Sequence, residues 1–297
     1  PTHDCNNGKT INFLIEKENT QWVDQCCVNC NYMSEIILKI SSLSVDYKSN
    51  NTFLFPWEKN KTFRAVENIN FEIKEGETLG IVGETGSGKS TIAKAVINLL
   101  KVSSGKIYFQ NNQIANLDEK NMRIFRKEIQ MIFQDPLASL NPRMNVGEII
   151  SEPLKAHYPN LTKNEIKYQV QDIMNNVGLL SNQINRYPHE FSGGQCQRIG
   201  IARSLILKPK LIICDEPVSS LDVSIQAQVI NLLKELQEKF KLTYLFITHD
   251  LNIAKHMSDN IMVLNLGKIV EMNKSYEIFN FPKHDYTKKL ISSIPKI

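Results

Sequence analysis

The chain has 297 residues, enough for one large domain or two modest ones. A hydrophobic fraction of 42%, a charged fraction of 22% and a net charge of +4 exclude fibrous, collagen-like and wholly disordered classes. The charge is too small to point to nucleic acid, so no nucleic-acid partner is expected. No run approaches the ~18 apolar residues of a membrane-spanning helix.

Residues 1–32 are polar and hold Cys5, Cys26, Cys27 and Cys30. The Cys27-x-x-Cys30 spacing, with the other two cysteines, is a candidate set for Zn2+ or an iron–sulfur cluster. A reduced, unstructured extension is the competing reading. The main domain is expected over 33–297. Ile36, Leu38 and Ile40 alternate with polar residues, as in a half-buried strand. A second strand is predicted over 65–73, ending in the turn Glu75-Gly76-Glu77. Thr78–Val82 is a short apolar run, and 90–100 has helical spacing. Helical patterns at 145–157, 162–177 and 180–186 mark an inserted helical subdomain at about 136–190. A helix at 195–207, a strand at 211–214, a helix at 223–240 and strands at 243–248 and 260–265 complete the pattern. Alternating strands and helices predict an α/β fold, a mainly parallel sheet with helices on both faces.

Two sites carry chemistry on this frame. Gly83-Glu84-Thr85-Gly86-Ser87-Gly88-Lys89-Ser90-Thr91 fits G-x-x-x-x-G-K-[ST] in full. A strand precedes it and a helix follows, the context in which loop amides and the helix dipole bind phosphate. Lys89 is expected on the β/γ-phosphates, and the Ser90 hydroxyl on Mg2+. Further on, the apolar run Leu211-Ile212-Ile213-Cys214 ends in Asp215-Glu216. Asp215 is read as a holder of Mg2+, and Glu216 as the group that orients and polarises the attacking water.

Phe191-Ser192-Gly193-Gly194-Gln195 follows the helical insert. Here the chain resembles the ATP-binding cassette (ABC) ATPases, over about residues 36–295. The resemblance implies a P-loop NTPase with a RecA-like parallel core, an antiparallel β part and the helical insert. It implies that Gln134, in Met131-Ile132-Phe133-Gln134-Asp135-Pro136, is the Q-loop glutamine, sensing Mg2+ and linking the site to the insert. Asp222, in Ser219-Ser220-Leu221-Asp222, corresponds to the D-loop, and His249 to the switch histidine at the γ-phosphate. Tyr47 is the first candidate to stack on adenine, with Phe53, Phe55 and Phe63 competing. Ser192, Gly193, Gly194 and Gln195 are implied to contact ATP held by a second subunit, so that two cassettes sandwich two nucleotides.

Longer stretches are similar to a narrower group. Residues 134–144, Arg186-Tyr187-Pro188-His189-Glu190 and residues 214–228 resemble ATPases of oligopeptide and dipeptide importers. So does His284-Asp285-Tyr286-Thr287-Lys288-Lys289-Leu290, within a family tail at about 274–297, with Asp285 where the group has Pro. The insertion after Tyr47 is similar to the second of the two ATPases in such importers. The expected partners are a second ATPase subunit, two transmembrane permeases and an extracytoplasmic peptide-binding protein. The expected place is the cytoplasmic face of the cell (inner) membrane. Importers of nickel or glutathione, and a soluble ABC ATPase without a transport role, are the alternatives. Cys196 stands where the family usually carries Arg or another long polar residue; the signature contacts are intact, so activity is expected to be retained, with packing against the partner as the place for any loss.

Overall fold

A computed structural model describes residues 35–48 and 62–293. The cysteines of the front end, with the metal or cluster proposed there, lie outside the described residues, as do Phe53 and Phe55.

Two sheets organise the domain. The first is antiparallel, in the order β2-β1-β4-β5, from β1 (Ile36–Lys48), β2 (Thr62–Lys74), β4 (Ser104–Phe109) and β5 (Asn112–Gln113). The second has six strands in the order β10-β9-β3-β8-β7-β6. It is built from β3 (Thr78–Val82), β6 (Ile129–Ile132), β7 (Leu211–Asp215), β8 (Thr243–Ile247), β9 (Asn260–Asn265) and β10 (Lys268–Lys274). All pairings in this sheet are parallel except β10 on β9. A parallel core with an antiparallel part beside it is the architecture that the resemblance implies.

Side-chain alternation decides what each face meets. On β7, Leu211 and Ile213 face one way and Ile212 and Cys214 the other, because strand side chains alternate with period two. The Leu211 face packs on α1 (Lys89–Val96) and, with it, on the antiparallel sheet through Leu38, Val66 and Phe109. The Ile212 face packs on α5 (Gly193–Leu205) and α6 (Val223–Phe240). Strands buried on both faces read as continuous apolar runs, which is why 78–82, 211–215 and 243–247 were visible in the sequence. Helices thus lie on both faces of the parallel sheet, as expected, and on the α1 side the antiparallel sheet packs over the helix.

Residues 136–190 hold α3 (Val146–His157) and α4 (Lys163–Asn176), followed by two 3-10 turns at Ser181–Asn185 and Pro188–Glu190. Ile149, Ile150, Ile173 and Met174 join Ile199 and Ala202 of α5 in one apolar cluster, so the insert and the signature helix pack together. A third cluster gathers Val82, Ile261 and Val263 with α7 (Leu251–Met257), α8 (Ser275–Asn280) and α9 (Asp285–Ser292). α2 (Glu119–Phe125) lies between the sheets' connections and contributes Met122 to the core.

Some boundaries differ from the sequence reading. α1 stops at Val96 rather than residue 100. Asn98 has φ +59°, and the amides of Leu99 and Leu100 both turn back to the Lys94 carbonyl, at 2.8 and 3.3 Å. That left-handed closure ends the helix although its apolar spacing continues. The helix read over 180–186 is a single 3-10 turn. Strands β4, β5, β6 and β10 and helices α2, α7, α8 and α9 were not read from the sequence, being short segments with little periodic signal.

Candidate functional site

The parallel sheet brings the motifs together, since each follows the C-terminal end of a parallel strand. The phosphate loop follows β3, Gln134 follows β6, Glu216 follows β7 and His249 follows β8. Open α/β sheets place their ligand crevice at that edge. Here it is an open cleft of about 860 Å3, lined by the loop, by Gln134, Glu216 and His249, and by Tyr47 and Phe63.

Backbone geometry explains the loop's composition. Gly88, at the entrance to α1, has φ +104°, and a Cβ there would lie 2.7 Å from the Ala65 carbonyl oxygen. Only glycine enters such a turn without strain. The first amides of α1 have no acceptor within the helix, and they face an anion by construction. The Ser87 hydroxyl is buried behind the loop, without a partner among the described residues, and so close to Gly83 that a Cβ there would come within 2.9 Å of it.

Lys89 is buried, and its Nζ donates to the Gly83 carbonyl at 2.8 Å and the Glu84 carbonyl at 2.9 Å. Burial pushes its ammonium down, while the Glu216 and Asp215 carboxylates pull it back up. The Ser90 hydroxyl donates to Asp215 Oδ1 at 2.8 Å. Burial pushes the Asp215 carboxyl above its usual value, despite that hydrogen bond. A buried carboxylate paired with a hydroxyl beside phosphate-binding amides suits a hard cation with oxygen ligands, so the residues fit Mg2+.

Glu216 sits in the left-handed region at φ +48°, its amide held by the Ile247 carbonyl at 3.0 Å. Strain of this kind in a non-glycine residue persists where the surroundings over-determine it, typically at active sites. Its Oε2 accepts from Gln134 Nε2 at 3.2 Å and lies 3.1 Å from His249 Nδ1. Two side chains, 82 and 33 positions away in sequence, thus converge on one Glu216 carboxylate oxygen.

Other candidates fall elsewhere. Tyr47 and Phe63 face each other across β1 and β2 at the cleft, and the Tyr47 hydroxyl lies 3.3 Å from Thr91 Oγ1. Ser192 caps α5: its hydroxyl accepts from the Gln195 amide, while Gln195 Oε1 accepts from the Ser192 amide. Ser192, Gly193, Gly194 and Gln195 do not line this chain's cleft, and neither does Asp222, which begins α6. Gly194 is packed so tightly that a Cβ would come 2.5 Å from Ile225 Cγ2. Cys196 is buried in the cluster under α5, with its thiol donating to the Pro188 carbonyl at 3.4 Å. Its side chain therefore fills this chain's own core rather than a partner-facing surface. The sequence reading missed Ala65 and Leu290 as cleft residues and Tyr286 as a neighbour of Glu84. Only the box 284–290 marked that last region.

The family model for ABC transporters matches residues 66–219. The chain belongs to the ABC transporter family. It is an ABC ATPase, binding ATP with Mg2+. The cassette is 54% identical over 261 residues to the oligopeptide transport ATP-binding protein OppF of Haemophilus influenzae, covering 88% of this chain and 79% of that one. It is 54% identical over 235 residues to AppF of Bacillus subtilis, covering 78% of this chain and 70% of the relative. It is 51% identical over 234 residues to the dipeptide transport ATP-binding protein DppF of Lactococcus lactis, covering 78% and 75%. Among solved structures, the dimeric cassette MJ0796 in a post-hydrolysis state with ADP and Pi superposes with a TM-score of 0.70 at 30% identity. That match covers 80% of this chain and 98% of the other. Among the described residues, no helix is long and apolar enough to cross a membrane.

Proposed function

We propose that this cassette is the ATP-hydrolysing subunit of an importer of oligopeptides or dipeptides. It works at the cytoplasmic face of the membrane with a second ATPase subunit, two permeases and an extracytoplasmic binding protein. The convergence of Gln134 and His249 on the Glu216 carboxylate supports the chemistry. The relatives, which are peptide-transport ATPases over most of this chain's length, support the cargo.

The residues divide the work as follows. Loop amides and Lys89 hold the phosphates, with Lys89 leaving the Gly83 and Glu84 carbonyls for the anion. Ser90 and Asp215 hold Mg2+, which when bound supplies positive charge on the phosphate oxygens. Glu216 accepts a hydrogen bond from the attacking water and draws off its proton. Gln134 keeps that carboxylate oriented, and His249 reaches the terminal phosphate. Tyr47 or Phe63 stacks on the base. Ser192 and the amides of Gly193 and Gly194 form an anion site aimed at a nucleotide on another subunit.

Co-purification tests the transport role. The tagged chain, expressed with its cellular partners, should bring down two multi-span permeases and a second ATPase. The reconstituted assembly should accumulate labelled peptide in vesicles only with ATP, and Lys89→Ala should abolish that uptake. Recovery of soluble partners alone would remove the importer reading.

A further inference from the structure

The box 284–290 has no part in the chemistry just described, yet it touches the phosphate loop. The Tyr286 hydroxyl accepts a hydrogen bond from the Glu84 amide at 3.3 Å, across 202 positions of sequence. The same Glu84 gives its carbonyl to Lys89 Nζ. Both polar groups of that residue's backbone are therefore held, the carbonyl also by the Ser87 amide at 3.2 Å, while the amide rests on Tyr286. Four residues further along α9, Leu290 lines the cleft itself.

α9 is built to stay where it is. Glu271 of β10 accepts the amides of Lys283 and His284 at 2.9 and 3.0 Å, fixing the chain just before the helix. Partial burial pushes the Glu271 carboxyl up, but those two amides, together with Thr287 and the His284 ring, hold it below its usual value. His284 Nδ1 accepts the Tyr286 amide at 3.1 Å and caps the first turn. Tyr286, Leu290 and Ile291 pack against the apolar cluster that contains Val82, the residue before Gly83. One helix thus braces the strand that launches the loop and binds the loop's second residue.

We propose that Tyr286 is a positioning residue of the ATP site: its hydroxyl tethers the Glu84 peptide and keeps the phosphate loop preformed when Lys89 leaves the Glu84 carbonyl for phosphate. This rests on the reading of residues 83–91 as the nucleotide site. Tyr286 acts through the loop rather than on the reacting atoms. A loop already in its bound shape loses less conformational freedom on binding. The tether therefore acts on nucleotide affinity and leaves the hydrolytic step to Glu216.

Tyr286→Phe keeps the ring in its apolar cluster and removes the acceptor. In the full chain, Tyr286→Phe should raise KM for MgATP about 3- to 10-fold, the loss of one hydrogen bond, and leave kcat within about twofold. Hydrogen exchange at the Glu84 amide, slow in the nucleotide-free wild type, should speed up in the variant. Lys89→Ala is measured alongside. If Lys89→Ala loses MgATP binding while Tyr286→Phe keeps the wild-type KM, the tether is overturned and the nucleotide site stands. If Lys89→Ala binds MgATP normally, the nucleotide-site reading itself has failed. A fall in kcat with unchanged KM also overturns the proposal. Should Tyr286→Phe fold poorly, the wild type still decides: a Glu84 amide exchanging at the rate of an open loop rules the tether out.

Discussion

At the residue scale, burial sets the electrostatics of the site. Asp215 and Lys89 are both buried, and desolvation moves each toward its neutral form. For Asp215 the folded-state pKa is raised, so the ionised carboxylate costs the nucleotide-free fold stability above that pKa. Asp215→Asn should therefore raise the melting temperature of the nucleotide-free protein at neutral pH. The gain should shrink as pH falls through the raised folded-state value, and vanish below the unfolded value, where both states carry a neutral carboxyl. The same variant should lose Mg2+-dependent ATP turnover. Thermal melts from neutral to acid pH, with and without MgATP, check both halves. Asp285 is another residue-scale case. It occupies the first position of α9, where an amide needs no helical acceptor and proline is favoured. A carboxylate there suits the positive end of the helix, so aspartate can stand in for proline.

At the element scale, helix starts were the most legible boundaries. Asn145 and Glu148 form a reciprocal capping box, both bonds at 2.9 Å, and Ser192 and Gln195 form another. The pattern of a small polar residue followed three later by Glu or Gln carries that information in sequence. Asn145→Ala and Ser192→Ala should each destabilise by about 1 kcal/mol. Only Ser192→Ala should also lower ATP turnover, because the proposed function gives the Ser192 hydroxyl and the amides behind it a nucleotide to bind. Chemical denaturation and a phosphate-release assay separate the two effects. Helix ends were less legible. The end of α1 depends on Asn98 taking a left-handed conformation, with its side-chain amide on the Leu117 carbonyl at 2.6 Å. That partner comes from another part of the chain, so apolar spacing alone overran the boundary.

At the scale of the whole molecule, the sheet sets the catalytic geometry and leaves one part of the site elsewhere. Gln134, Glu216 and His249 meet at the C-terminal edge of the parallel strands, while Ser192 does not line the same cleft. On the proposed reading, a second subunit brings a signature helix to each nucleotide. Glu216→Gln should keep MgATP binding and slow turnover by about 100-fold or more, the contribution of a positioned base. With the γ-phosphate retained, the ATP-bound pair of subunits should accumulate and run as a larger species in gel filtration. Turnover at the wild-type rate would remove Glu216 from its assigned role.

The sequence by itself determined the loop, the strand before Asp215, the signature and the run of helices that make the insert. Each is a local pattern whose chemistry depends on spacing along the chain: glycines where the backbone turns, apolar runs where both faces are buried, caps where amides lack acceptors. Only the tertiary structure decided that an antiparallel sheet roofs α1, that Glu216 is strained, that Cys196 faces the core, and that Tyr286 reaches Glu84. These depend on contacts between segments far apart in the chain, which pairing register and packing fix and no local spacing records.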